Sequence, residues 1–159
     1  MLQRDDIAQI IEDYDRMKLR IGMTASHSAL DICDGGIEEG FPTVAYCQEG
    51  RHKTYANYFK TKRSSSGRVL RGMVDKAIVM PSFNDVMNDS MQVEMRKRNV
   101  VYIPNRSFTS YSSIEDVENK FRVPLFGSRN MLRMEERTEE QDYYWILDKA
   151  GLPYPEAIE

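Results

Sequence analysis

The sequence predicts an α/β fold in which a doubly wound parallel sheet of about five strands is covered by helices on both faces. Short apolar runs typical of strands alternate with segments whose apolar residues recur at helical spacing. Strands that alternate with helices pair in parallel through right-handed crossovers. In such a sheet, ligands bind beyond the carboxyl ends of the strands.

The first part of the chain contains two helices and two strands. Apolar residues at helical spacing predict an amphipathic helix over about residues 3–17, and a strand follows at Leu19–Met23. A second helix begins at Ser28 and ends near Gly40, because glycine commonly follows the last turn of a helix. The sequence FPTVAYC then supplies the second strand.

The rest of the chain continues the alternation. KAIVM predicts a third strand, and three methionines spaced four residues apart predict a helix that ends near the basic residues 96–98. Ser113 and Asp116 have capping-box spacing at the start of a short helix. We expect strands at 76–80, 99–104 and 121–127, and helices at 87–95, 113–119 and 143–150. Gly151 and Pro153 end the last helix.

Composition indicates a globular domain with its own core. The 159 residues carry a net charge of −3, and 41% of them are hydrophobic. No apolar run approaches the ~20 residues of a membrane helix, and the acidic N-terminus is unlike a signal peptide, so we expect a cytoplasmic protein. Cys33 and Cys47 are too few for a disulfide framework and are predicted to be reduced, buried thiols.

Three polar segments, 24–28, 50–72 and 105–113, follow predicted strands. In the first, His27 lies between Ser26 and Ser28 at the junction of a strand and a helix. Two hydroxyls, an imidazole and the amides of the first helical turn could bind an anion. The alternative is that Ser26 caps the helix and His27 packs on its surface.

The second segment is a basic patch on an acidic protein. No acidic residue occurs between Glu49 and Asp75, whereas seven Lys and Arg side chains occur among aromatic residues: Arg51, Lys53, Lys60, Lys62, Arg63, Arg68 and Arg71. Such a patch could bind a phosphorylated ligand or single-stranded nucleic acid. Residues 60–68 could equally form a mobile, solvated loop.

The third segment follows the predicted fourth strand. Asn105, Arg106, Ser107 and Tyr111 would project from its carboxyl end toward the same crevice as His27. The alternative is a surface turn in which Asn105 and Ser107 hydrogen-bond to their own backbone.

Several ordered blocks resemble one protein family. They are ASHSALDICDGGIEEGFPTV, the pair Gly50-Arg51, IPNRSF, VENKFRVPLFGSRNMLRMEER and AGLPYPE. The chain resembles the N-terminal part of the archaeal formate-dependent formaminoimidazole-carboxamide ribonucleotide synthetases. The resemblance implies a Rossmann-like substrate-binding domain at 1–151 and a linker at 152–159 that leads to an ATP-grasp half absent from this chain.

The resemblance also implies a reaction and its participants. ATP and magnesium, bound mainly by the missing half, would activate formate, and the amine of aminoimidazole-carboxamide ribonucleotide would attack the activated group. His27 and Ser107 inherit contacts with the ribonucleotide, and Ser26 and Ser28 support them. We expect further substrate contacts from residues in the matching blocks: Arg51, Tyr55, Asn119 and Arg129. Family members assemble as oligomers.

The chain departs from the family in three places. Asn105-Arg106 stands where members often carry His-Gly or Thr-Gly, Met134 replaces a tryptophan, and residues around 60–72 form an insertion. An arginine in place of a glycine could add a phosphate contact or fill the space meant for the base. A divergent or non-catalytic nucleotide-binding module of the same fold is therefore an alternative function, as is a single-stranded nucleic-acid binder.

Overall fold

A parallel sheet of four strands organises the first of two units in this computed structural model, which describes residues 2–129, 131–134 and 141–155. The units are Met1–Phe126 and Gly127–Glu159. The α/β class predicted from the sequence is confirmed. The domain boundary expected after residue 151 stays a prediction, and the expected linker lies outside the described residues beyond residue 155.

The first unit holds six strands and five α-helices within its described residues. The strands are β1 (Arg20–Thr24), β2 (Thr43–Gln48), β3 (Lys62–Arg63), β4 (Val69–Arg71), β5 (Lys76–Met80) and β6 (Val100–Tyr102). The helices are α1 (Arg4–Glu12), α2 (Ala29–Glu38), α3 (Asp89–Lys97), α4 (Arg106–Tyr111) and α5 (Ile114–Lys120). The second unit contributes α6 (Met131–Met134) and α7 (Tyr143–Lys149), the latter as predicted.

The strand order β5-β2-β1-β6 makes β1 the point where the winding reverses. The chain moves outward from β1 through β2 to β5 and then returns to pair β6 with the other side of β1, and all three pairings are parallel. A crevice opens where two connections leave neighbouring strands in opposite directions. The carboxyl ends of β1 and β6 therefore flank the expected ligand position.

The predicted fifth strand at 121–127 is wrong as a full strand. Leu125 forms only an isolated bridge with Tyr102. Two hydrogen bonds support this bridge, from Tyr102 N–H to the Pro124 carbonyl and from Phe126 N–H to the Tyr102 carbonyl. Pro124 has no N–H to donate, so it interrupts any longer ladder along this segment.

Two polar segments form regular structure that was not predicted from the sequence. Residues 60–68, interpreted as a possible mobile loop, instead contribute to the antiparallel hairpin of β3 and β4, which follows a π-helical turn at Thr54–Tyr58. A Cβ at Gly72 (φ +75°) would collide with the Lys60 carbonyl as the chain leaves this hairpin. The segment after β6 forms helix α4, with Asn105 as its N-cap.

Helix boundaries shift where capping residues occur. The first helix ends at Glu12 rather than near residue 17, because Asp15 accepts a hydrogen bond from Met17 N–H and starts a separate 3₁₀ turn, Arg16–Lys18. Likewise Met87 belongs to the 3₁₀ turn Phe83–Met87, which Ser82 caps, and α3 begins after it. Short polar side chains satisfy the free amides of a new helical turn and thereby fix where it starts.

The sheet separates two buried clusters. On one face α2 packs against the strands, with the Cys33 thiol 3.5 Å from the Met23 sulfur. On the other, the rings of Tyr102, Phe108 and Phe121 pack with centroids 4.9–5.3 Å apart. No helix of the described part of the chain is long and apolar enough to cross a membrane.

Gly22 in the middle of β1 allows this aromatic side of the sheet to pack closely. A Cβ added at Gly22 would lie 2.5 Å from Val100 Cγ1 and 3.2 Å from Tyr46 Cε2. Both neighbours are completely buried. A valine side chain has little rotamer freedom, so it cannot move aside without shifting its own strand.

We expect Gly22→Ala to destabilise the protein by about 1–3 kcal/mol through overpacking. The matched control is Gly35→Ala, because Gly35 lies within α2 and a Cβ there meets nothing within 4 Å. That change should stabilise the fold by ~0.5–1 kcal/mol, since alanine is the better helix former. Urea unfolding of both variants measures the difference, and equal shifts would contradict the close approach at Gly22.

The two thiols should be inert in the native protein. Both cysteines are free and completely buried, as the sequence predicted. Burial raises the pKa of Cys33 and of Cys47 to about 12. At pH 8 only about one thiol in 10,000 would then be ionised, and the thiolate is the reactive form. Titration with a chromogenic disulfide should detect no fast thiol until urea unfolds the chain; rapid native labelling would refute this.

Candidate functional site

Two loops meet at the carboxyl ends of β1 and β6. The β1–α2 connection carries Ser26, His27 and Ser28, and the β6–α4 connection leads through Asn105 to Ser107. The sequence placed both segments at this edge because parallel strands end on the same side of the sheet. The structure confirms that the two loops come together.

His27 and Ser107 are in direct contact across 80 positions of sequence. Ser107 Oγ lies 3.0 Å from His27 Nδ1, and Ser26 Oγ lies 3.2 Å from the same nitrogen. Ser107 is completely buried, whereas His27 and Ser28 are exposed. One imidazole edge therefore faces two hydroxyl groups, while the residue itself is accessible to solvent.

Asn105 joins the two loops through its side-chain amide. Its Nδ2 donates to the carbonyl oxygens of Thr24 at 2.8 Å and of Ser26 at 3.2 Å. Its Oδ1 accepts from Phe108 N–H at 3.2 Å and so caps α4. The alternative, a turn in which Asn105 bonds to its own backbone segment, holds only for the side-chain oxygen, which caps α4. The side-chain nitrogen instead donates to the β1–α2 loop.

His27 adopts a left-handed backbone conformation, with φ +44°. It occupies the turn closed by the hydrogen bond from Ala29 N–H to the Ser26 carbonyl, at 3.0 Å. For a residue with a Cβ this conformation costs about 1 kcal/mol, and strained residues of this kind concentrate at ligand sites. The bonds around the Ser26 carbonyl hold the strained turn.

Helix α2 begins at this turn, and its first turn has polar groups that are not used in capping or backbone hydrogen bonds. Ser28 is its N-cap but makes no side-chain capping bond, and Ser26, expected as a possible cap, is hydrogen-bonded to His27 instead. Within the described residues, the amides of Leu30 and Asp31 have no backbone acceptor. Free amides at a helix N-terminus attract anions, although the exposed Asp31 carboxylate in the same turn opposes this.

Arg51 and Tyr55 follow β2 and reach different surroundings. Arg51 is exposed, and its guanidinium donates to the Tyr111 hydroxyl at 3.4 Å; the Tyr111 ring lies 4.9 Å from that of Phe83. Tyr55 is 8% exposed and packs in the cluster under α2. Burial, followed by the nearby thiol of Cys47, raises the pKa of Tyr55, so its hydroxyl stays protonated.

The other two predicted contact residues take part in local bonds. Asn119 is exposed on α5, and its amide donates to the Glu115 carbonyl at 2.8 Å. Arg129 belongs to the second unit, where its carbonyl accepts from Leu132 N–H. Their roles stay predictions.

The basic segment partly neutralises itself. Arg63 forms an ion pair with Asp75 at 2.8 Å, and Lys60 Nζ donates to the Asp75 carbonyl at 2.7 Å. In the hairpin, Lys62 and Arg71 are directly opposite each other. Like charges in this position repel, so they favour an anionic neighbour or free exposure to solvent.

The buried amide of Asn105, which joins the two loops, was not predicted from the sequence. The signal was present, since Asn directly before RSFTSY is a preferred N-cap residue and predicts the start of α4. No grouping of three or more His, Cys, Asp or Glu side chains that could hold a metal ion occurs in residues 2–129, 131–134 and 141–155. No magnesium ligand is therefore assigned in these residues.

A protein-family model described as "Protein of unknown function (DUF1246)" matches residues 21–158, which include both loops of the site. The chain belongs to this family. The match therefore covers the β1–α2 turn, helix α4 and everything between them, so both loops of the site lie within the matched residues.

The curated relatives carry the name that the sequence blocks predicted. The protein of Methanopyrus kandleri called 5-formaminoimidazole-4-carboxamide-1-(beta)-D-ribofuranosyl 5'-monophosphate synthetase is 34% identical over 100% of this chain and 40% of its own length. Its namesake from Methanobrevibacter smithii is 31% identical over 94% of this chain and 38% of its own length. The chain thus spans about two-fifths of these relatives.

A solved structure supports the same relationship. The crystal structure of an IMP biosynthesis protein PurP from Thermococcus kodakaraensis matches 87% of this chain and 39% of its own, with a TM-score of 0.62 and 29% identity. The resemblance to formaminoimidazole-carboxamide ribonucleotide synthetases and the Rossmann-like class are therefore confirmed.

Proposed function

We propose that this chain is the N-terminal substrate-binding domain of an ATP- and formate-dependent ligase of purine biosynthesis. The observation that carries the proposal is the contact of His27 with Ser107 at the winding reversal of the sheet. Open α/β sheets bind their ligands at this place. The names of the relatives supply the product, a formaminoimidazole-carboxamide ribonucleotide, and removal of its formyl group gives the ligand that we propose, aminoimidazole-carboxamide ribonucleotide.

The residues of this chain would bind and orient the ribonucleotide. Ser26, His27 and Ser28 offer hydrogen-bond donors and acceptors that suit ribose hydroxyls and the carboxamide. Arg51 at the exposed edge offers the charge that a phosphate requires. Tyr55, Asn119 and Arg129 remain candidates for further contacts.

The chemical step would need the part of the relatives that this chain does not span. In the proposed reaction, formate attacks the terminal phosphoryl group of ATP to give formyl phosphate and ADP. The exocyclic amine of the ribonucleotide then attacks the formyl carbon, phosphate leaves, and the amine proton is lost. An ATP-grasp half would hold ATP and magnesium, so we expect this chain alone to be inactive. Oligomeric assembly and a cytoplasmic location stay predictions.

Calorimetric titration of the folded chain with the ribonucleotide tests the binding role. The wild-type protein should bind it, and the unphosphorylated nucleoside should bind more weakly because it cannot engage Arg51. His27→Ala should weaken binding at least about tenfold, the value of one good hydrogen bond to a polar ligand. Ser107→Ala should weaken it as well, because the buried Ser107 hydroxyl holds the His27 ring. Ser110→Ala is the matched control, since the exposed Ser110 hydroxyl on the same helix donates only to the Arg106 carbonyl.

The alternatives predict different results in the same experiment. A single-stranded nucleic-acid binder would bind unrelated oligonucleotides with a steep salt dependence. Lys62→Gln and Arg71→Gln would weaken this oligonucleotide binding, whereas His27→Ala would leave it unchanged. A divergent nucleotide-binding module would bind another ribonucleotide through His27. Unweakened ribonucleotide binding by His27→Ala would refute the proposed site.

A further inference from the structure

The side-chain amide of Asn105 forms hydrogen bonds with both loops of the site. It is 8% exposed, and it reaches the Thr24 and Ser26 carbonyls with its nitrogen and Phe108 N–H with its oxygen. The first two bonds fix the turn that carries His27, and the third fixes the start of the helix that carries Ser107. The nitrogen of the amide therefore positions His27, and its oxygen positions Ser107.

The Ser107 contact determines where the imidazole proton lies. The Ser107 hydroxyl is completely buried, and within the described residues its hydrogen-bond partner is His27 Nδ1 at 3.0 Å. If Nδ1 carried the proton, it would donate to the serine oxygen, and the buried serine proton would have no acceptor. If Nδ1 is bare, the serine donates to it and no buried donor is left unsatisfied.

We propose that Asn105 is a positioning residue that holds Ser107 against His27 Nδ1 and thereby fixes the neutral ring in the tautomer protonated on Nε2. Ser26 Oγ, 3.2 Å from the same nitrogen, can donate to it as well. The edge of the ring away from the serines then presents an N–H donor. A ligand at this edge must supply an acceptor, such as a phosphate, carbonyl or hydroxyl oxygen.

The tautomer follows from the structure alone, whereas its consequence for the ribonucleotide rests on the proposed function.

Long-range ¹H–¹⁵N NMR spectra of histidine-labelled protein at pH 8.5 test the tautomer. The chain has two histidines, so His52 is an internal reference in every spectrum. In the wild-type protein His27 should show the pattern of Nε2–H with a bare Nδ1. Asn105→Thr retains a hydroxyl that can cap α4 but removes the amide donor. It should shift His27 toward a mixture of tautomers and leave His52 unchanged.

Two further variants keep the outcome decisive. If Asn105→Thr does not fold, the isosteric Asn105→Asp retains the capping oxygen and lacks the same donor, so the same shift is expected. The double variant Ser26→Ala with Ser107→Ala removes both hydroxyls from His27 Nδ1 and keeps the bonds of Asn105 to the two loops. It should therefore also give a mixture of His27 tautomers. A folded Asn105 variant with an unchanged His27 pattern would overturn the positioning role, as would a wild-type His27 protonated on Nδ1.

Binding then separates this inference from the proposed function. Asn105→Thr should bind aminoimidazole-carboxamide ribonucleotide about tenfold more weakly, the loss of one oriented hydrogen bond. A wild-type protein with the expected tautomer but no ribonucleotide affinity would refute the proposed ligand and support the positioning role. A variant with a mixed tautomer and full affinity would show that the tautomer does not govern binding, and would overturn that part of the inference.

Discussion

The site depends on a single buried amide. Two connections leave β1 and β6 in opposite directions, and at such a point backbone carbonyls at the strand ends lose their partners in the sheet. Asn105 donates to the carbonyl of Thr24, the last residue of β1, and to that of Ser26 in the loop that follows. A buried amide without partners would cost ~1–3 kcal/mol, so the two loops are most stable when they are together. The bonds of Asn105 thus hold the two loops together.

The strained turn at His27 is a second consequence of this arrangement. A histidine keeps a backbone φ of +44° only where contacts with the surrounding structure outweigh its own preference for negative φ. Here the Ser26 carbonyl accepts from Ala29 N–H and from Asn105, and two hydroxyl groups contact the ring at Nδ1. The ring is therefore oriented before any ligand arrives, which reduces the entropy lost on binding.

The sequence predicted the parts of the fold that follow from periodicity, and missed those that follow from tertiary contacts. KAIVM is β5 at the predicted bounds, and the convergence of His27 with Ser107 followed from the geometry of parallel sheets. The fifth strand failed because Pro124 interrupts its ladder. The strands of the β3–β4 hairpin carry mainly polar residues without an alternating apolar pattern, so their pairing could not be predicted from the sequence. The role of Asn105 required knowing which carbonyls end beside it.

The groups at the contact between His27 and Ser107 differ in charge from the residues that follow β2. Hydroxyls, an imidazole and an amide surround the contact between His27 and Ser107, whereas Arg51 lies in the exposed region that follows β2. A phosphate carries about 1.5–2 negative charges near pH 7, and neutral donors alone compensate this poorly. In the proposed function, the neutral groups would therefore select the ribose and carboxamide. Arginine would supply most of the phosphate affinity, so the two contributions should separate by their dependence on salt.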